Sequence, residues 1–240
     1  MASIPPANDE FPGDRLPFIE TIQYHRRGSS SPEGASDALP IPPGWSRYVH
    51  PNGDVYFRNH QLRLTTPDNI RQPVILQYVM DAREDHLETI ADDPNYARLP
   101  PDWELTISDI SESTAVIGMY SRQAGRAYEW REHEGRLAIK ERQHFWSFVA
   151  EYPSHYPSLP PGTEEEFVAA VTQAKFRLRN GEVFPFTEQQ IDQITTLYTQ
   201  LKRRHNIPAL GWLLGVVMPL ESIGSRMNGS LEALMEDLQL

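Results

Sequence analysis

Apolar residues alternate with polar ones in two stretches of the chain, and elsewhere they recur at helical spacing. In the clearer alternating stretch, Leu105 is two residues from Ile107, and Val116, Gly118 and Tyr120 follow at the same interval. Because side chains two residues apart lie on one face of a strand, this pattern predicts half-buried strands. The predicted strands lie near residues 105–107, 115–120 and 126–130.

Helical spacing begins after Pro73 and returns beyond residue 141. Apolar residues that recur three and four apart predict helices with one buried face. The positions with this spacing are Ile75, Val79, Leu87 and Ile90, then Phe167, Val171, Ala174 and Leu178, then Ile191, Ile194, Leu197 or Tyr198, and Leu201, and finally Leu231, Leu234, Met235 and Leu238. The stretch from Ala209 to Met218 is apolar all round, which predicts the buried centre of a helical bundle.

Two of these helices begin with the spacing of a capping box. In this device a Thr side chain and a Glu or Gln three residues later satisfy the free backbone N–H groups of the first turn. Thr163 with Glu166, and Thr187 with Gln190, have the required spacing. We therefore expect both pairs to cap their helices.

A tryptophan that follows two prolines occurs twice, and aromatic residues come after it each time. The first copy reads IPPGW at residues 41–45 and YFRNH at residues 56–60. The second reads LPPDW at residues 99–103, then MY at residues 119–120, and ends at Trp130. Both copies resemble the WW domain, a three-stranded sheet that binds proline-rich peptides in the extended polyproline conformation.

In the first copy, the resemblance implies a structural role for Trp45 and Phe57 and a ligand-binding role for Tyr56 and His60. Trp45→Ala should then destabilise the fold much more than Tyr56→Ala. Pro67 stands where the second ligand-face tryptophan would be, and a proline has no broad π face on which a ligand ring can stack. The implied peptide site is therefore incomplete.

The closing proline of the first copy is displaced. Ile70 occupies its position, and Pro73, which lies beyond, is expected to pack near Trp45 instead.

The second copy retains the complementary half of a peptide site. Trp130 matches the second tryptophan of the motif, and Tyr120 matches the core aromatic, which we expect to contact Trp103. Met119 stands at the position of the ligand-face tyrosine. The peptide-binding residues predicted for the whole chain are thus Tyr56, His60 and Trp130.

The predicted fold is α+β, with two small three-stranded antiparallel WW-like sheets joined by a helix and followed by an α-helical bundle. The order of elements resembles that of WW-containing proteins of mushroom-forming fungi. The predicted parts are a mostly disordered tail at 1–39, a WW-like domain at 40–73, a connecting helix at 74–96, a second WW-like hairpin unit at 97–136 and a helical domain at 140–240.

Charge and composition narrow the function classes. The formal net charge of -11 argues against broad binding to nucleic acid or to an anionic membrane. The chain has no cysteine, which excludes disulfides and thiolate sites and fits a reducing compartment. Its start shows no secretory signal, and the apolar run 209–220 is shorter than a membrane span. These features predict an intracellular protein, cytoplasmic or nuclear.

Sequence motifs for catalysis are absent. The chain has no phosphate-binding glycine loop, and its eight histidines are scattered without ligand spacing. Asp81, Glu84, Asp85 and Glu88 share a helix face that could hold Mg or Mn, but a solvated face is the preferred interpretation. We therefore predict no metal site and no cofactor, and we propose no particular catalytic residue.

Two hypotheses of function remain. The first is an adaptor or scaffold whose WW-like units hold a proline-rich or extended peptide of another protein, with the helical bundle as added binding surface. The second is a small-molecule enzyme or binder with a pocket between the bundle and the sheets. A closed pocket lined by His144, Trp146 and Tyr152 would favour the second hypothesis. An open aromatic groove that contains Tyr56 and His60, or Trp130, would favour the first.

Overall fold

The computed structural model describes residues 39–218, and the strands in this part of the chain form one sheet. The seven strands lie side by side in chain order. They are β1 (Trp45–Val49), β2 (Val55–Asn59), β3 (Leu64–Thr66), β4 (Glu104–Ser108), β5 (Val116–Ser121), β6 (Arg126–Arg131) and β7 (Arg136–Ile139). The prediction of two separate three-stranded sheets is therefore wrong, although the α+β class holds.

A parallel pairing between β3 and β4 joins the two predicted units. Leu64 lies opposite Leu105, and the Leu105 N–H donates to the Arg63 carbonyl oxygen at 2.9 Å. A parallel pair needs a crossover connection, and the helix α1 (Pro73–Ala91) lies within it. Either unit alone would leave unpaired backbone groups along an open edge. The helix predicted as a spacer thus belongs to a crossover that places the units edge to edge.

Within each unit the strands pair as antiparallel hairpins. The ends of β4, β5 and β6 agree with the predicted strands to within one residue. The strand β7 was not predicted from the pattern. It follows a turn in which Gly135 has a φ of 59°, and its Leu137 side chain is buried in the core.

Both faces of the sheet are covered, and each has its own core. One face, called here the α1 face, carries the buried residues Trp45, Phe57, Leu64, Ile70, Val79, Ile90, Leu105, Ile107, Met119, Tyr128 and Leu137. The opposite face, called here the bundle face, packs against helices from the C-terminal half of the described chain.

Trp103 and Tyr120 lie on opposite faces, so the predicted contact between them is wrong. Trp103 packs with the α1-face core, where its ring meets Tyr96 edge-on at 5.8 Å. Tyr120 stacks on Phe148 on the bundle face, with ring centres 4.1 Å apart. Tyr120 is paired with Glu104, and neighbouring residues along a strand point to opposite faces. Trp103, one residue before Glu104, is therefore directed away from Tyr120.

Four helices follow the sheet within the described residues. They are α2 (Arg142–Glu151), α3 (Thr163–Arg179), α4 (Glu188–Arg203) and α5 (Ile207–Val217). Every residue of α5 from Ala209 onward is buried, which confirms the predicted centre of the bundle. Gly215 permits a close approach to α2, because a Cβ atom there would lie 2.5 Å from the Ala150 nitrogen and from the Trp146 oxygen.

One of the two predicted capping boxes is confirmed. The Thr187 side chain accepts from the Gln190 N–H, and the Gln190 side chain accepts from the Thr187 N–H. The box at Thr163 is wrong, because its hydroxyl donates to the Pro160 carbonyl oxygen at 2.6 Å. Glu166 instead accepts from the Trp146 indole N–H at 3.1 Å, so a tertiary contact replaces the local cap.

Some sequence predictions fall outside the described residues. The tail predicted at 1–39 lies outside them except for its last residue. The predicted last amphipathic helix, with Leu231, Leu234, Met235 and Leu238, lies wholly outside them. The connecting helix predicted at 74–96 is α1, which ends at Ala91. From residue 39 to residue 218, no helix combines the length and the apolar character that crossing a membrane would require.

Candidate functional site

The core residues of the first unit lie where the resemblance placed them. Trp45 and Phe57 are both buried in the core of the α1 face. Ile70, at the position of the closing proline, is fully buried in the same core. Pro73 is exposed at the start of α1, so the expectation that it packs near Trp45 is wrong.

Tyr56 is buried, contrary to the expectation of an open ligand face. Its side chain is covered by residues 152–157, called here the YPSHYP segment, and Tyr56 is only 2% exposed. The Tyr56 hydroxyl accepts from the Ser154 N–H at 2.8 Å and shares a hydrogen bond with His155 Nδ1 at 3.1 Å. Its ring meets Tyr152 edge-on at 5.3 Å. A proline- and tyrosine-containing segment of the same chain thus packs on this face.

The other two predicted site residues are not brought together. His60 is exposed at the end of the bundle face, where its Nε2 atom lies 2.8 Å from the Tyr48 hydroxyl. Trp130 is half-buried against the α1-face core, on the other side of the sheet. Pro67 directly follows β3, as expected of a proline at the end of a strand.

A row of aromatic side chains remains accessible beside the covered Tyr56. This aromatic row consists of His60, Tyr48, His155 and Tyr156. The ring centres of Tyr48 lie 6.0 Å from His60 and 5.6 Å from His155, and those of His155 and Tyr156 are 3.7 Å apart. His60 is exposed and the other three are half-buried. Tyr56 supports the row from beneath by stacking on Tyr48 at 5.6 Å.

The aromatic row leads into a polar cleft of about 440 Å³, called here the arginine cleft. Strands β2 and β4, the turn before β3, the loop before β4, the turn after β5 and the YPSHYP segment all contribute to it. Its charged and aromatic lining consists of Arg58, Arg63, Asp102, Glu104, Arg122 and Tyr156.

A buried ion pair lies at the cleft. Arg58 Nη1 donates to Glu104 at 2.5 Å and to Thr65 Oγ1 at 2.9 Å. The Tyr156 hydroxyl donates to the other oxygen of Glu104. Burial raises the pKa of Tyr156 well above its ordinary value, and the neighbouring Glu104 charge adds to this, so the phenol keeps its proton. Losing one partner would leave a buried charge uncompensated, so the group is sensitive to single substitutions.

Arg122 lies over the ring of Tyr156. Its guanidinium carbon lies 3.4 Å from the ring centre, a cation–π arrangement, and Nη2 donates to the Ser158 carbonyl oxygen at 2.5 Å. Burial lowers the pKa of Arg122, but an arginine stays charged in proteins.

His155 is neutral at physiological pH. Burial lowers the pKa of His155 far below its ordinary value, and the charges of Arg58 and Arg122 act in the same direction.

The arginine cleft was not predicted from the sequence. Tyr56 and Arg58 in β2 and His60 just after it are two residues apart, and this period of two could have placed Arg58 on the same face as the aromatic residues. No local signal indicates that Glu104 and Arg122 join it. The arginine cleft is not the pocket at His144, Trp146 and Tyr152 that would have favoured the enzyme hypothesis, because Trp146 and Tyr152 are buried in the core of the bundle face.

The acidic face of α1 shows no metal site. Between residues 39 and 218, no three His, Cys, Asp or Glu side chains are placed to hold a metal ion. His86, near these carboxylates in the sequence, has its Nε2 atom 3.3 Å from the Met119 sulfur. It therefore faces the sheet.

Comparison of the chain with protein-family models, with curated proteins and with solved structures gave no match. Function is therefore inferred from the residues and contacts of the chain itself. The likeness to the WW domain remains a resemblance in motif and in hairpin order.

Proposed function

We propose that the chain is a protein-interaction scaffold that holds an extended, proline-rich segment of another protein along the aromatic row. The observation that supports this most directly is the unbroken series of ring contacts from His60 through Tyr48 and His155 to Tyr156. Tyrosine and histidine rings in a row are suited to the flat faces of proline rings in a polyproline helix. The first hairpin unit acts as a WW-like module in this proposal.

The YPSHYP segment supports the same chemistry within the chain. It brings Pro153 and two tyrosines onto the face where the WW resemblance places a ligand, and Tyr56 binds its backbone at Ser154. Tyr152 and Pro153 are buried, so releasing the segment would expose a large apolar surface. An external peptide would therefore bind beside this segment, on the part of the row that solvent reaches.

A small-molecule binder is the second candidate function, and the arginine cleft is the observation that favours it. Its volume of about 440 Å³ falls within the range of ligand pockets, about 300–1,000 Å³. Its lining is far more polar than that of most such pockets, which suits a small charged ligand better than an apolar one. An intracellular location, cytoplasmic or nuclear, belongs to both proposals, and the absence of cysteine supports it.

Peptide titration tests the scaffold proposal. The full chain is titrated with fluorescent proline-rich peptides, and the best binder is measured again with His60→Ala. Losing one exposed aromatic wall should weaken binding by about five- to thirty-fold, as for a contact that contributes about 1–2 kcal/mol. His133→Ala is the matched control, because His133 is an exposed histidine in the turn between β6 and β7.

Two results would contradict the scaffold proposal. One is the absence of peptide binding by the full chain at millimolar concentration. The other is binding that His60→Ala and His133→Ala leave equally unchanged.

A further inference from the structure

We propose that the arginine cleft binds a carboxylate group. The inference does not depend on the peptide proposal, since the carboxylate could belong to the C-terminus of a peptide or to a small organic acid. The shared chemistry is a planar monoanion held by guanidinium groups. Three arginines and two carboxylates line the cleft, which leaves one positive charge in a chain whose net charge is -11.

The two carboxylates of the cleft are already satisfied by their neighbours. Glu104 accepts from Arg58 and from the Tyr156 hydroxyl. Asp102 accepts from Ser121 Oγ at 2.7 Å and from the Gln123 N–H at 2.8 Å. Neither carboxylate needs a further donor, so they do not compete with a ligand for the remaining arginines.

Arg63 and Arg122 have donors to spare. Among the described residues, Arg63 donates to the carbonyl oxygens of Pro101 and Trp103, and Arg122 donates to that of Ser158. No carboxylate from the described part of the chain lies within 4.0 Å of either guanidinium. Because a guanidinium carries five N–H donors, most of theirs remain open to a bound anion.

Arg58 adds a fixed positive charge deeper in the site. It is 7% exposed, and its Nε atom has no hydrogen-bond partner among residues 39–218. Its Nη1 atom fixes it to Glu104 and Thr65, so the side chain is held in place before a ligand arrives. A positioned guanidinium loses little freedom on binding, which favours recognition of a planar anion.

A carboxylate fits this site better than a phosphate dianion. The cleft has one net positive charge, and the charges of Asp102 and Glu104 would repel a second negative charge. Two parallel N–H donors of an arginine match the two oxygens of a carboxylate. The ring of Tyr156 and the side chain of Pro101 supply apolar surface for the carbon atoms next to the carboxylate.

The test uses the full chain and three probes. These are a short proline-containing peptide with a free C-terminal carboxylate, the same peptide with a C-terminal amide, and propionate. Binding is followed by NMR through the arginine Nε–Hε signals, which report directly on the guanidinium groups. We expect the free acid or propionate to shift the signals of Arg63 and Arg122, with an affinity at least ten-fold above that of the amide.

Two variants separate the effect of the planar, two-pronged guanidinium from the effect of its positive charge. Arg122→Lys keeps the charge but lacks the planar fork, and Arg63→Gln removes the charge of an exposed side chain. Each should weaken carboxylate binding about ten-fold or more, which corresponds to about 1.4 kcal/mol. Arg203→Gln, on the exposed surface of α4, is the charge-matched control and should leave binding unchanged. Thermal unfolding of each variant checks that it folds.

The outcomes distinguish the sources of the carboxylate. Preference for the peptide acid over propionate supports a peptide C-terminus as the source, and equal binding supports a small organic acid. The proposal is overturned if acid and amide bind alike, if neither acid shifts the signals at millimolar concentration, or if folded Arg63→Gln and Arg122→Lys bind as the wild type does. Carboxylate binding without any effect of His60→Ala on peptide binding would contradict the scaffold proposal alone.

Discussion

Removing the Tyr56 hydroxyl should destabilise the protein, although the sequence placed this residue on an open face. In Tyr56→Phe the Ser154 N–H loses its acceptor at 2.8 Å, and His155 loses the hydroxyl at 3.1 Å. An unsatisfied buried donor costs about 1–3 kcal/mol. Ser154 is half-buried, so some water reaches its N–H, and we expect a loss of about 1–2 kcal/mol.

Tyr56→Ala should cost about as much as Trp45→Ala. The Tyr56 side chain is 2% exposed and that of Trp45 9%, and truncating a large buried aromatic residue to alanine costs about 3–5 kcal/mol. Replacing Tyr56 by alanine would also leave Tyr48, Tyr152 and His155 without the ring they contact. The unequal losses expected from the WW resemblance should therefore become nearly equal.

The free energies come from urea unfolding followed by circular dichroism, with the wild type and all variants measured at one pH. Tyr78→Phe is the matched control, since Tyr78 is half-buried and its hydroxyl has no hydrogen bond in the part of the chain from 39 to 218. It should remain within about 0.5 kcal/mol of the wild type. A Tyr56→Phe variant as stable as Tyr78→Phe, together with a loss below about 1 kcal/mol in Tyr56→Ala, would refute the packing of the YPSHYP segment on this face.

Three further predictions concern the rest of the described chain. Gly215→Ala should destabilise by about 1–3 kcal/mol or abolish folding, because its methyl group would meet the Ala150 nitrogen and the Trp146 oxygen; an unchanged melting temperature would contradict this. Thr187→Ala should cost about 0.5–2 kcal/mol in urea unfolding by removing the cap of α4, and a neutral result would argue against the cap. Burial lowers the pKa of His50, so the unfolded chain takes up a proton at a higher pH than the folded chain does. The free energy of unfolding should therefore fall as the pH drops below about 6.5, by up to about 1.4 kcal/mol per pH unit. His50→Gln should reduce this slope in unfolding measured from pH 7 to pH 5, and an identical slope would contradict the assignment.

The sequence predicts those features that a short stretch of chain determines. Trp45 and Phe57 belong to one core because the motif and the period of two place them on one face. The ends of β4 to β6 and the buried α5 follow equally from local periodicity. These patterns state which side of an element is buried.

Local patterns do not state what buries that side. Tyr56 is covered by Ser154, which is 98 residues away in the chain, so no motif around Tyr56 could indicate it. The same limit applies to the arginine cleft, where Arg58 pairs with Glu104 across 46 residues. It also explains the missed contact between β3 and β4, since a strand pattern does not identify the neighbouring strand.

The seam between β3 and β4 makes the two hairpin units dependent on each other for folding. Its hydrogen bond from Leu105 to Arg63 forms only after the intervening chain with α1 has closed, so neither unit gains this pairing early. A fragment that ends at residue 73 would expose both the edge of β3 and the apolar face of Tyr56, and it should aggregate instead of acting as a free module. The amide of Leu105 should accordingly exchange with solvent only when the whole domain unfolds.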